Sequence, residues 1–287
     1  MPVTAKKTAT SSHSLSTEEF TFICKLVYDT TGIVVDERKQ EMVYRRLMRR
    51  TRDLRIATFS EYCELLASPN SSELPDFINT ITTNLTSFFR EKHHFDYLEE
   101  TFIPQHQREF PSTRQLRIWS AACSTGEEPY SLAITLQNAM AASLKDWDIR
   151  ILATDLDTNV LQSASGGVYK TERIKDLDKQ LCQRWFKRGT GGNSETVKVS
   201  EQLRKMITFK QLNLLQQWPV SGPFDVIMCR NVLIYFDNGT QKSLVKRFKK
   251  LLRPGGLLIL GHSESIAKSF ADLELKGHTI FEKLVIV

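Results

Sequence analysis

The chain is predicted to be an α/β protein with a small all-α domain in front of its sheet and a small β excursion inserted into it. Three observations lead there. Residues 16 to about 82 show helical periodicity and no strand signal. From Arg117 onward short apolar runs alternate with helical stretches, the pattern of a parallel sheet with crossover helices. Between the second and third runs, at about 166–204, a stretch containing RGTGGNSETVKVS is rich in Gly, Thr and Val and has no helical period. It is expected to form a β-hairpin or three short strands outside the main sheet.

The polar residues 1–15 are expected to form a disordered tail. They lack the apolar centre of a signal peptide, and no apolar run approaches the roughly 20 residues that cross a bilayer. A cytoplasmic chain without membrane insertion is therefore expected, and its 41% hydrophobic and 25% charged residues are ordinary for a globular protein. Ser16 and Glu19 are spaced as a capping box, with Leu15 and Phe20 as the hydrophobic staple around it. Phe20, Ile23, Cys24 and Val27 continue one face of that helix, and Gly32 can end it. A second helix is predicted from Glu37 to about Leu54. Val43, Leu47 and Leu54 fall on one side, and Arg38, Arg45, Arg49 and Arg52 fall within a narrow opposite arc. Two short helices follow at 58–66 and 74–82.

The apolar runs RIWSA, IRILATD, FDVIMCR and GLLILGHS read as strands, with helices starting at Glu127, Asp157 and about Thr240, and TIFEKLVIV as a last strand at the sheet edge. Ligands of such sheets bind beyond the carboxyl ends of the strands. Polar groups follow four runs there: residues 124–126 with Glu128, then Asp155, Asn213, and Arg230 with Asn231. Asp155 stands where nucleotide-binding folds place an acid for both ribose hydroxyls. The first turn has one glycine and two carboxylates where a pyrophosphate would approach, which argues against NAD and for a phosphate-free cofactor with a cationic amino-acid end. Taken singly, Asp155 and Asn213 would be cap or turn residues; their convergence on one sheet edge makes the functional reading. His93 and His94 lack the i, i+4 spacing of a helical metal site, and the five scattered cysteines form no CxxC pair, so neither metal nor disulfide is expected. His262 is a candidate for lining the site.

The strings TTNLTSFFRE (82–91), WSAACSTGEEPYSLAI (119–134), ATDLDTNVL (153–161), CRNVLIYFD (229–237) and LLRPGGLLILGHSE (251–264) resemble the chemotaxis protein methyltransferases, the CheR family. The resemblance runs from about residue 20 to the end and rests most on GEEPYS followed by CRNVLIYF. It implies a helical domain at 16–82, a linker at 83–92 that contributes to the cofactor site, and a Rossmann-like class I methyltransferase domain at 93–287 with its β-subdomain at about 166–204. The implied reaction carries the methyl group of S-adenosyl-L-methionine to glutamate side chains on the cytoplasmic helices of bacterial chemoreceptors. Glutamate 5-O-methyl esters and S-adenosyl-L-homocysteine are the products, and the modification serves sensory adaptation. Carried over by position, Asn84, Thr86, Arg90, Glu128, Asp155, Asn213, Leu214, Arg230 and Asn231 contact the cofactor, and Arg90 and Tyr235 lie nearest the transferring methyl.

Two surfaces go with that resemblance. The row of Arg45, Arg49 and Arg52 would dock an acidic helix, and Gly189 and Gly191 resemble the turn of family members that capture a receptor C-terminal peptide as an added strand. The chain is expected to work as a monomer. The net charge of +6 and pI near 9 leave two competitors, a nucleic-acid methyltransferase and an adaptor without turnover. The first lacks an aromatic-rich basic cleft, and the second is disfavoured by the intact set of polar strand ends, so no nucleic-acid partner is expected.

Overall fold

The computed structural model describes residues 14–141, 143–264 and 270–285; the tail expected at 1–15 lies almost wholly outside them. The chain parts into two compact units between Thr83 and Asn84.

The first unit is helical: α1 (Thr17–Thr31), α2 (Gln40–Asp53), α3 (Phe59–Ala67) and α4 (Leu74–Ile81). The capping box forms as expected, Ser16 accepting from the Glu19 amide while Glu19 accepts from the Ser16 amide. Gly32 closes α1 in the left-handed region at φ 70°. Phe20, Ile23, Val27, Val43, Leu47, Phe59, Tyr62 and Phe77 build one apolar core. Removing a side chain of that kind costs about 2–5 kcal/mol. The arc between core and solvent holds a device that periodicity could not reveal. Arg50 bonds both oxygens of the buried Glu73 at 2.7 and 2.6 Å, Tyr62 donates to the same carboxylate, and Arg46 donates to the Ile81 and Thr82 carbonyls. These bonds satisfy the end of α4 and tie it to α2.

The second unit opens with α5 (His93–Tyr97), a π-helical turn (Leu98–Phe102) and α6 (Ile103–Glu109). There follow β1 (Gln115–Ala121), α7 (Glu127–Ala139), β2 (Asp148–Asp155), α8 (Thr158–Gly166), β3 (Val168–Lys170), α9 (Lys179–Trp185), β4 (Phe186–Arg188), β5 (Thr196–Val199), α10 (Glu201–Arg204) and β6 (Ile207–Gln211). The unit ends with β7 (Phe224–Cys229), α11 (Asn238–Leu251), β8 (Leu252–Leu260), β9 (Leu273–Gly277) and β10 (Ile280–Lys283). The main sheet has the order β6-β2-β1-β7-β8-β10-β9; the first five strands are parallel, and β10 runs antiparallel to both its neighbours, β8 and β9. A three-stranded sheet, β3-β5-β4, forms the excursion. The expected fold class holds: an α/β Rossmann-like sheet with a β insertion, preceded by an all-α unit.

One strand differs from expectation. The last strand, β10, lies one place in from the edge, which β9 occupies. The sequence of β9, LELKG, exposes its middle residues, and the turn into β10 is made by His278 and Thr279 at φ 46° and 61°. Asn-Gly would have advertised a turn needing two positive φ angles; His-Thr does not.

At the amino ends of the parallel strands the charges pair with one another. Buried Asp225 accepts from the Arg117 amide at 2.7 Å and from Arg253 Nε at 2.5 Å. Arg253 also donates to His106 Nδ1 at 2.9 Å, and His106 Nε2 meets the Gln115 carbonyl at 2.8 Å. This pattern assigns the neutral Nε2–H tautomer, in line with burial lowering the His106 pKa.

Candidate active site at the carboxyl ends of the strands

The strand order reverses between β2-β1 and β7-β8, so the loops after β1 and β7 diverge and leave a crevice at their tips. Asp155, the last residue of β2, is buried beside it. Its two oxygens accept from the Ser124 amide at 2.7 Å and the Asp157 amide at 3.0 Å. Burial pushes its carboxyl up to about 6, and those two amides restrain the rise. With the Leu156 amide also bonded, the carboxylate still has capacity for a further donor. Asp157 caps α8 through the Asn159 and Val160 amides and takes the Asn84 side-chain amide at 2.8 Å, and Ser124 Oγ donates to the Asn84 carbonyl. Asn84 is thereby brought to Asp155.

A second group lies across the crevice. Glu128 accepts from Ser120 Oγ at 2.7 Å and from Arg230 at 3.0 Å. Buried Arg230 also pairs with Glu91 at 3.1 Å and donates to the Arg90 carbonyl, while its Nε finds no partner among the described residues. Glu91 takes the Asn231 side-chain amide and the His262 backbone amide as well. Burial resists its ionisation, but Arg230 and these donors outweigh that, and its carboxyl titrates below the ordinary value.

The other predicted positions are less tightly joined. Asn213 follows β6, and its side chain accepts from the Leu215 amide of its own turn; the Leu214 carbonyl takes Arg247 and Trp218. The Leu212 amide bonds the Asp155 carbonyl, which anchors this loop to the acid. Thr86 and Arg90 are half-exposed, the Arg90 guanidinium donating to the Leu85 carbonyl, and half-exposed Tyr235 ends a 3-10 turn after Asn231. Exposed His262 reaches the site through its backbone amide alone.

Backbone strain gathers here. Phe89, Glu91, Ala122, Ser124 and Asn231 all take positive φ, between 50° and 80°, each at about 1–2 kcal/mol for an L-residue. Gly126, at φ 95°, starts α7 where an added Cβ would lie 2.8 Å from Ala164 Cβ. Such strain persists only where the surroundings enforce it, and it concentrates at working sites.

Sequence reasoning missed Glu91 and Glu264. The partners that give each its role, Arg230 for Glu91 and Asn231 for Glu264, lie far along the chain; each residue closes one of the strings TTNLTSFFRE and LLRPGGLLILGHSE, and only the resemblance could have marked them. Glu91, His93 and His94 also bring three possible ligand atoms within 4.8 Å of one another. Glu91 is already engaged by Arg230, and His94, its pKa lowered by burial to about 4, bonds the His278 carbonyl at 2.6 Å.

The donor set decides which cofactor fits. The crevice offers the carboxylates Asp155 and Glu128 and a single turn glycine, and the Ser124 amide is spent on Asp155 rather than offered to a pyrophosphate. An adenosyl group with ribose hydroxyls and a cationic amino-acid end matches acceptors of this kind.

Comparison with known proteins points the same way. The all-alpha domain of the CheR methyltransferases matches residues 18–82, and the SAM-binding domain of the same methyltransferases matches residues 84–280. The chemotaxis protein methyltransferase of Salmonella typhimurium is 45% identical over 270 residues, covering 93% of this chain and 91% of its own length. That of Klebsiella aerogenes is 47% identical over 272 residues, covering 93% and 90%. Chemotaxis protein methyltransferase 2 of Pseudomonas aeruginosa is 46% identical over 266 residues, covering 92% of each chain.

Proposed function

Since this chain belongs to the CheR methyltransferase family and is an S-adenosylmethionine-dependent methyltransferase of chemotaxis, we propose that it esterifies glutamate side chains of chemoreceptors. One observation carries the choice of acceptor: the two carboxylates opposite the cofactor acid, buried Glu128 and half-buried Glu91, are both committed to Arg230. With these two carboxylates paired and Asp155 given to the ribose, such a crevice suits a nucleophile that arrives already ionised. Glutamate, with an ordinary pKa of about 4.3, does so at neutral pH.

S-adenosylmethionine supplies an electrophilic methyl on a sulfonium. The protein's part is to align and to exclude water. In this reading Asp155 takes the ribose hydroxyls, and Glu128 takes the ammonium end with Arg230 holding it in place. Asn84, Thr86, Asn213, Leu214 and Asn231 line the remainder. Arg90 orients a carboxylate by a two-pronged bond and Tyr235 walls the methyl.

The partner surfaces belong to the same proposal. Arg45, Arg49 and Arg52 are exposed on α2, Arg45 bonded only to Glu41 one turn back. A row of that kind suits an acidic receptor helix. In the insertion, β5 is central, so β4 keeps one edge for an added receptor-tail strand. Gly189 and Gly191 have a local reason to be glycine: a Cβ on Gly189 would lie 2.2 Å from the Asn193 carbonyl, and Gly191 stands at φ 58°. They set the turn beside that edge. No described helix is long and apolar enough to cross a membrane.

Incubation with radiolabelled S-adenosylmethionine and receptor-rich membranes is the direct test, and base-labile label on receptor glutamates is expected. Label confined to nucleic acid, or to no macromolecule, removes the proposal. Charge reversal of Arg45, Arg49 and Arg52 together should slow receptor methylation at least tenfold and leave S-adenosylhomocysteine affinity unchanged; equal rates would remove the docking row.

A further inference from the structure

Glu264 is 5% exposed and carries a carboxylate that no cation among the described residues pairs with. Its partners are backbone amides from two different strand ends. Oε2 accepts from Gly261 at 2.6 Å and from Asn231 at 2.9 Å, and Oε1 accepts from Ile234 at 3.2 Å. Gly261 is the first residue beyond β8, whereas Asn231 and Ile234 belong to the loop beyond β7. Glu264 reaches them because a tight turn, closed by its own amide on the Gly261 carbonyl at 2.9 Å, folds its side chain back over the strand ends.

The loop it holds does not hold itself. Asn231 stands at φ 57°, and two residues further on begins the short 3-10 turn Leu233–Tyr235, whose first amides have no helical partner of their own. A buried carboxylate taking several amides is a strong anchor, since charge-assisted bonds are about twice as strong as neutral ones. Burial raises the Glu264 pKa and the amides oppose the rise, so ionising this carboxyl carries a cost that an apolar residue would avoid.

We infer that Glu264 is a positioning residue for the methyl-transfer site: its carboxylate fixes the loop after β7 in the strained form that presents Arg230, Asn231 and Tyr235 to the cofactor. The inference rests on the proposed cofactor contacts of those three residues, but not on the identity of the methyl acceptor.

The opposite side of the same contact provides an independent probe. A Cβ on Gly261 would lie 2.6 Å from the Asn231 side-chain nitrogen, 2.8 Å from the Asn231 amide and 2.8 Å from Glu264 Oε2. Gly261→Ala therefore pushes the clamp apart while leaving the carboxylate in place.

The test compares Glu264→Gln and Gly261→Ala with the wild-type chain by calorimetry with S-adenosylhomocysteine, by amide hydrogen exchange and by thermal melting. Both variants should weaken S-adenosylhomocysteine at least tenfold. Both should lose exchange protection at Asn231 and Ile234, while the amides of β1 and β2 keep theirs. With a methyl acceptor in hand, the KM for S-adenosylmethionine should rise and the KM for the acceptor stay, a split that general loosening of the fold would not produce. Affinity within twofold of wild type in either folded variant overturns the inference, as does retained protection at Asn231. Should Glu264→Gln fail to fold, Gly261→Ala alone decides by the same criteria. Failure of receptor methylation in the wild-type chain would strike the acceptor and leave this result standing.

Discussion

The two ends of the parallel sheet use the same residue types at similar burial and put them to opposite ends. At the amino end, Asp225, Arg253 and His106 spend their hydrogen bonds on one another and on nearby backbone, Arg117 pairs with Asp148, and one described non-glycine residue there, Arg114, takes a positive φ. At the carboxyl end, Asp155 keeps acceptor capacity, Arg230 Nε lacks a described partner, and seven described non-glycine residues take positive φ: Phe89, Glu91, Ala122, Ser124 and Asn231, with His278 and Thr279 beside Leu260. A closed network of buried charges fixes the fold. An open one, held by neighbouring backbone, is a site waiting for a ligand.

The sharpest way to break this contrast is to exchange the consequences. Asp225→Ala should destabilise the second unit by about 3–5 kcal/mol, because Arg253 and the Arg117 amide are left without their buried acceptor. Whatever remains folded should bind S-adenosylhomocysteine as wild type does; denaturant unfolding with calorimetry checks both. Asp155→Asn should do the reverse. An affinity loss of about 100-fold, or 2.7 kcal/mol, is expected with little change in melting, in keeping with a charged hydrogen-bonding group removed from a ligand contact. If Asp155→Asn proves the more destabilising of the two, the division between the ends is wrong.

Acidity sharpens the comparison further. The folded pKa of Asp155, about 6, stands above its ordinary 3.8, so folding favours its protonated form. Its contribution to stability is therefore present at low pH and lost as pH rises through the interval from 3.8 to about 6. Ligand affinity has the opposite sign under the proposed function, in which the ribose hydroxyls bond the carboxylate. S-adenosylhomocysteine binding should weaken as pH falls below about 6, by at most tenfold per unit, and Asp155→Asn should flatten that dependence. A wild-type affinity constant from pH 7 to 5 would contradict it. The smallest effect expected concerns Asp157→Ala, which removes the α8 cap and the Asn84 contact; about 1 kcal/mol of stability is at stake, with a few-fold loss of affinity.

Much of this was legible in the sequence where the determinant is local. The capping box at Ser16, the left-handed Gly32 and the strand-helix alternation each depend on residues a few positions apart. So does the placement of Glu128, Asp155, Arg230 and Asn231, since the carboxyl end of an apolar run is a position that sequence defines. The linkage among them was not legible. Glu91 meets Arg230 across 139 positions, a distance along the chain that no periodicity spans. Arg46 and Arg50 hid among the other arginines of α2, although they face α4 and the exposed row does not. The hairpin of β9 and β10 escaped because its turn residues are not those that favour positive φ.

The β insertion touches the turn after β1 at two points: the Tyr169 hydroxyl donates to the Thr125 carbonyl at 2.7 Å, and Arg173 pairs with fully buried Glu127. Variation among relatives should therefore be distributed unevenly within it. Apart from Gly189 and Gly191, the exposed residues at the tip, such as Gly192 and Ser194, are free to change, whereas the segment from Tyr169 to Arg173 is tied to the turn after β1 and must keep its length and these two side chains.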